Sequence, residues 1–149
     1  MSYRRGLGMG IEWKEELATG IESIDSHHRE LFSRLNTFLD ACDAGRGKEE
    51  LVSMLQFLND YVAFHFQAEE RLHREYEYRD RVRHREEHRL FIERLIGLKR
   101  RFLVEGPTAE LVREINRFTV GWLLEHIAER DQEFGLAVRG ASGKFHPKK

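Results

Sequence analysis

The chain has 149 residues, 40% of them apolar and ten of them Phe, enough for one domain with a core of its own. Its 25 Lys and Arg against 26 Asp and Glu leave a formal charge of -1, so no net field draws it to nucleic acid or to an anionic membrane surface. A single cysteine, Cys42, excludes an internal disulfide framework, and no apolar run has the length of a membrane span or signal segment, so a cytoplasmic chain without membrane insertion is expected.

With only two prolines, Pro107 and Pro147, and little alternation of polarity, the pattern predicts an all-α chain. Residues 1–10 and 139–149 read as flexible tails around a domain at 11–138, which IEWKEELATG opens as an N-terminal arm. Breaker signals at DAGRGK (Asp43 to Lys48), EYRD (Glu77 to Asp80) and VEGPT (Val104 to Thr108) divide the rest into four segments. The first, from about Ser23 as N-cap to Ala41, carries a stripe of Ile24, Leu31, Leu35, Phe38, Leu39 and Cys42, with His28 on it. In the second, Leu51, Met54, Leu55, Leu58, Tyr61 and Val62 keep the helical period, and His65 and Glu69 take the next apolar positions. The third places His84 and His88 one turn apart on the face of Phe91, Leu95, Leu98 and Phe102. The fourth, opened by Pro107 and Thr108, runs through Leu111, Ile115, Phe118, Trp122 and His126 toward Asp131 and Phe134. Short connections make consecutive helices antiparallel, hence an up-down-up-down four-helix bundle.

Such a bundle imposes a test on the inward polar residues. Counted from the loops at the far end, His28, His65, His88 and His126 each lie roughly 15 to 18 residues away, which at ~1.5 Å per residue is roughly 25 Å. All four helices therefore deliver a donor to one layer. Buried without partners these groups would each cost about 1 to 3 kcal/mol, and more if charged. A metal centre compensates them, since imidazole and carboxylate are good donors to first-row divalent ions. Five histidines with one or two carboxylates exceed the roughly four ligands of a tetrahedral zinc, so two metals with bridging carboxylates are expected.

Four stretches carry a resemblance: WKEELATGIESIDSHH, HFQAEE, HREEH and WLLEHIAERD. In this order and spacing, from Trp13 to Phe134, the chain resembles the hemerythrin family, and within it the bacterial single-domain form. The resemblance implies two iron ions: His84, His88 and His126 on one, His28 and His65 on the other, with Glu69, Asp131 and an oxo or hydroxo group bridging. The second iron then keeps the position at which O2 binds in that family. Asp131 rests on the resemblance alone, because five residues after His126 is about 140° around an ideal helix. The function implied is reversible O2 binding for transport, storage or delivery by a non-enzymatic monomer. A sensor of O2, redox state or NO working with a signalling or O2-consuming partner, and a di-iron oxidase or peroxidase, are the alternatives. HREEH also fits the inverted zincin pattern H-x-x-E-H, a reading that leaves His28, His65 and His126 unexplained.

Three positions depart from the family pattern. His27 stands where Gln is usual and reads as a solvated residue off the stripe. His73 replaces a Met one turn after Glu69 and reads as a partly exposed polar lid, with an outer hydrogen bond or proton delivery as the alternative role. Glu77, Tyr78 and Arg79 stand in place of Gly-Tyr-Pro. Cys42 reads as core rather than redox-active. By helix position, Leu31, Phe66, Trp122 and Leu123 are expected to line an O2 pocket.

Overall fold

Helices form where the apolar residues recur at the helical period: α1 (Glu22–Asp43), α2 (Gly47–Glu75), α3 (Arg81–Glu105) and α4 (Ala109–Glu125). The computed structural model describes residues 11–141; the tail expected at 1–10, and residues 142–149 of the tail expected at 139–149, lie outside the described residues. A π turn over His126–Asp131 carries α4 into α5 (Gln132–Ala141), so helix continues past residue 138. α2 packs against α1, α3 and α4, and α3 packs against α4, giving the expected all-α up-down-up-down bundle. Leu35, Leu51, Leu58, Leu98, Leu111 and Ile115 fill its far half. At roughly 1.5 to 3 kcal/mol for each fully buried side chain of this size, that half holds the helices in register for the polar layer beyond it.

The helix ends follow local chemistry, with one correction. Ser23 lies inside α1, and the residue before the helix is Ile21, which gives no side-chain cap. The preceding turn is held by Asp25 instead: Oδ1 accepts from the Thr19 amide at 2.8 Å and its hydroxyl at 2.9 Å, and Oδ2 accepts from the Gly20 amide at 3.2 Å. At α4 the Thr108 hydroxyl accepts the Leu111 amide at 3.1 Å, an ordinary N-cap. α1 closes with the Gly45 amide on Cys42 O and the Arg46 amide on Ala41 O, Gly45 being left-handed at φ 77°. α2 closes in the same way, with the Glu77 amide on Arg74 O and the Tyr78 amide on His73 O. Here the left-handed position, φ 50°, is occupied by Glu77.

The N-terminal arm is part of the fold. Ile11 donates its amide to Asn36 Oδ1 at 2.6 Å and accepts from Asn36 Nδ2 at 2.7 Å, which pins the arm to α1. Trp13 then packs edge-on against Phe32 at 5.5 Å. From the other side, Gln132 Nε2 donates to the carbonyls of Leu17 and Ala18, and Arg139 donates to Thr19 O. Gly135 makes this approach possible: a Cβ there would come within 2.5 Å of Thr19 O.

A left-handed backbone costs a residue with a Cβ about 1 to 2 kcal/mol. Glu77→Gly should therefore stabilise the protein by up to about 1 kcal/mol after the entropy of the unfolded glycine is counted. The measurement is the chemical denaturation midpoint, and an unchanged or lower midpoint would show that Glu77 carries a compensating contact.

Candidate metal centre

Each helix contributes to one buried layer. α1 brings His28; α2 brings His65 and, one turn later, Glu69; α3 brings His84 and His88; the π turn brings His126 and Asp131. All seven are at most 4% exposed. Their donor atoms form two sets, each within 4.8 Å throughout: Glu69 with His84, His88 and His126, and Glu69 with His28, His65 and Asp131.

Both carboxylates reach both sets. Glu69 Oε1 is 2.6 Å from His84 Nε2, while Oε2 is 3.2 Å from His65 Nε2. Asp131 Oδ1 is 3.1 Å from His84 Nε2 and 3.3 Å from His126 Nε2, while Oδ2 is 2.9 Å from His28 Nε2. The π turn is what makes Asp131 available. On an α-helix its side chain would lie well off the His126 face, whereas the wider i to i+5 turn returns it to that face.

The chemistry of this donor set fits cations better than protons. His84 and His126 Nε2 stand 2.9 Å apart, His88 and His126 Nε2 3.1 Å, and His28 and His65 Nε2 3.1 Å. Two imidazoles can share one proton between facing nitrogens, but three converging nitrogens cannot all be satisfied that way. Neither oxygen of Glu69 or Asp131 receives a protein hydrogen bond of good geometry, although ring nitrogens lie close to all four. A cation with bonds of about 2.1 Å holds donors at right angles roughly 3 Å apart, which matches these spacings. Seven donors in two overlapping sets thus fit a di-metal site.

Electrostatics supports the same conclusion. Burial opposes a charge on His84, but the Glu69 and Asp131 carboxylates beside it outweigh burial and raise its pKa to about 9. His126 is raised in the same way, against burial, chiefly by Asp131. Glu69 stays ionised below the usual carboxylate range despite burial, through the charged His84 and His126 beside it. Without metal, protons stand in for the missing positive charge.

Outer partners fix several rings. His88 Nδ1 donates to Glu70 Oε2 at 2.8 Å. His126 Nδ1 lies 3.5 Å from Glu87 Oε2, and Arg130 Nε holds the other oxygen of that carboxylate at 2.7 Å. Neither acid stood out in the sequence, where the stretch from His65 to His88 is dense in charge. Their one signal is a position beside a ligand-type residue: Glu70 follows Glu69, and Glu87 precedes His88.

Two expectations are corrected here. His27 is not free in solvent: half-buried, it sets its Nδ1 3.0 Å from Nδ1 of His65, because α2 packs close enough for the two rings to meet edge to face. His73 is 1% exposed rather than a half-open lid. Tyr78, folded back by the turn that ends α2, and Phe134 from α5 cover it, with ring centroids at 5.2 and 4.4 Å. Burial and the neighbouring His84 push its pKa down to about 3, so it is neutral, and neither ring nitrogen has a hydrogen-bond partner among the described residues. Of the four apolar residues named for a pocket, Phe66 stacks on His88 at 3.8 Å and Trp122 on His126 at 4.6 Å. Leu31 and Leu123 are buried in the adjoining core.

A helical bundle whose core holds buried clusters of histidine and carboxylate that fit a di-metal site defines a class of metal-binding bundles, and the comparisons identify which one. Residues 19–137 match the family described as Hemerythrin HHE cation binding domain, so the chain belongs to the hemerythrin family. It is 30% identical over 129 residues to the Bacteriohemerythrin of Pseudomonas paraeruginosa, covering 87% of this chain and 82% of that protein. The Bacteriohemerythrin of Clostridium acetobutylicum is 28% identical over 131 residues, covering 82% and 96%. A Hemerythrin-like protein of Naegleria gruberi is 29% identical over 124 residues, covering 83% and 90%.

Metal uptake must displace the protons on His84 and His126, so loading near neutral pH should release about two protons per chain, read by titration in buffers of different ionisation enthalpy. For the metal-free protein the sign is fixed by the raised pKa of His84. Its contribution to stability is complete below the ordinary value of 6.5 and is lost as pH rises through about 9, so metal-free stability should fall across that window. His73→Met, which replaces unpaired ring nitrogens by an apolar side chain, should stabilise the metal-free protein by about 1 kcal/mol or more in denaturant titration.

Proposed function

We propose that this chain is a di-iron protein that binds O2 reversibly, as an oxygen carrier, store or delivery protein. His84, His88 and His126 would hold one iron and His28 and His65 the other, with Glu69 and Asp131 bridging. The observation that carries the reading is the inequality of the two sets: three imidazoles on one side and two on the other, with Glu69 common to both and Asp131, grouped with the second, also within 3.3 Å of His84 and His126. With both carboxylates shared, the first set would offer a metal five protein donors and the second only four, so the second would keep one more position for a ligand. The pair, when bound, would supply electrons to O2 and recover them on its release.

The protein's part is to hold the cations side by side and keep the surroundings dry. Phe66 and Trp122 stack on the rings of the three-histidine set, and Leu31 and Leu123 seal the adjoining core. Trp13 from the arm lies 6.4 Å from the His28 ring. These five wall residues are aromatic or aliphatic, which supports a carrier over an oxidase of an organic substrate. Two of the relatives are themselves named Bacteriohemerythrin, in keeping with this reading.

Iron-loaded protein should contain two irons per chain, gain a visible charge-transfer band in air, and lose it under inert gas over several cycles. One iron per chain, or a band that never bleaches while hydrogen peroxide accumulates, would overturn the carrier reading. Leu123→Asn should admit water and speed irreversible oxidation. An unchanged rate would remove Leu123 from the wall.

A further inference from the structure

His27 is the residue whose chemistry the site has not yet absorbed. It precedes His28 on α1, so one short piece of helix serves both histidines of the two-imidazole set: it supplies His28 and meets the outer edge of His65. His65 directs Nε2 inward, 3.1 Å from His28 Nε2 and 3.2 Å from Glu69 Oε2, and Nδ1 outward, 3.0 Å from His27 Nδ1. A neutral imidazole carries one N–H. If Nε2 of His65 gives its lone pair to a cation, the hydrogen sits on Nδ1 and donates to His27, whose own hydrogen must then be on Nε2. The His27 ring is held for this role, at 84° to His65 and packed 5.3 Å from Phe64.

We infer that His27 is a positioning residue for the two-histidine cation: it accepts the Nδ1 hydrogen of His65, fixing that ring's tautomer and orientation. The inference rests on the ligand assignment proposed above. It also implies an asymmetry between the two cations. On the three-histidine side the Glu70 carboxylate takes the ring hydrogen of His88 at 2.8 Å and makes it a better donor, and a second carboxylate, Glu87, lies 3.5 Å from His126 Nδ1. On the two-histidine side the acceptor is an uncharged ring. His65 is therefore oriented as firmly as His88 but donates less charge, which keeps the cation with the spare position the more weakly held of the two.

The test is a stepwise cobalt(II) titration of the metal-free protein, followed by its visible ligand-field absorption. In His27→Leu one of the two binding steps should weaken by about 10- to 100-fold while the other is kept. In His27→Gln, where an amide oxygen can again accept, most of that loss should be recovered, and the cobalt spectrum of the weaker site should return toward the parent's. A His27→Leu titration that overlays the parent's, a loss shared equally by both steps, or a loss that His27→Gln does not recover would overturn the inference, as would a parent that takes up one cobalt only. A parent that binds two cobalt ions but whose iron form gives no band in air would overturn O2 binding and leave the His27 assignment standing.

Discussion

Seven lone-pair donors face one another in a layer sealed from water, and no distribution of protons satisfies them all. In a bundle interior, positions such as His28, His65, Glu69 and His88 would ordinarily hold leucine or phenylalanine, each adding to stability. The chain gives up that stabilisation in the middle of its core and depends on the apolar half, built on residues such as Leu58, Leu98 and Ile115, to keep the helices together. Only positive charge makes the layer tolerable. Protons on His84 and His126 supply some of it, and two divalent cations would supply more while meeting every converging nitrogen. Folding and metal binding are thus linked through the same atoms.

What surrounds the layer follows from that requirement. The Glu70 carboxylate orients the His88 ring, and Glu87, held by Arg130, lies beside His126. Phe66, Trp122 and the arm residue Trp13 present aromatic faces or edges to the rings, excluding water where a hydrogen bond would compete with a metal bond. The arm is itself tied to both ends of the chain's fold, through Asn36 on α1 and through Gln132 and Arg139 on α5. His73 is the residue that fits this logic least: it is buried, neutral and 3.8 Å from Glu69 Oε1, and the structure gives it no hydrogen bond.

The bundle and its polar layer were legible in the sequence because both rest on periodicity. Leu, Phe and Ile recurring at the helical repeat set four helices, breakers set their ends, and equal distances from the loops brought His28, His65, His88 and His126 to one level. Element ends were less legible. Ser23 looked like a cap because of its residue type, yet the helix begins one residue earlier, at Glu22, behind a Thr19–Gly20 turn that the Asp25 carboxylate holds. The turn at Glu77 takes the left-handed conformation although its residue argues against it, since the two hydrogen bonds closing α2 require it.

The sequence by itself determined the helices, the faces they bury, and the presence of five inward histidines and Glu69 at one depth, since side-chain direction along a helix is a function of spacing alone. Three things were decided only by tertiary structure. Asp131 joins the layer because the backbone widens into a π turn at His126, a change in hydrogen-bond step that no 3.6-residue count foresees. His73 is buried because Phe134, far along the chain, closes over it. His27 meets His65 because α1 and α2 approach closely enough for a ring off the apolar stripe to reach across, and the distance between two helices is set by the packing of every residue along both of them.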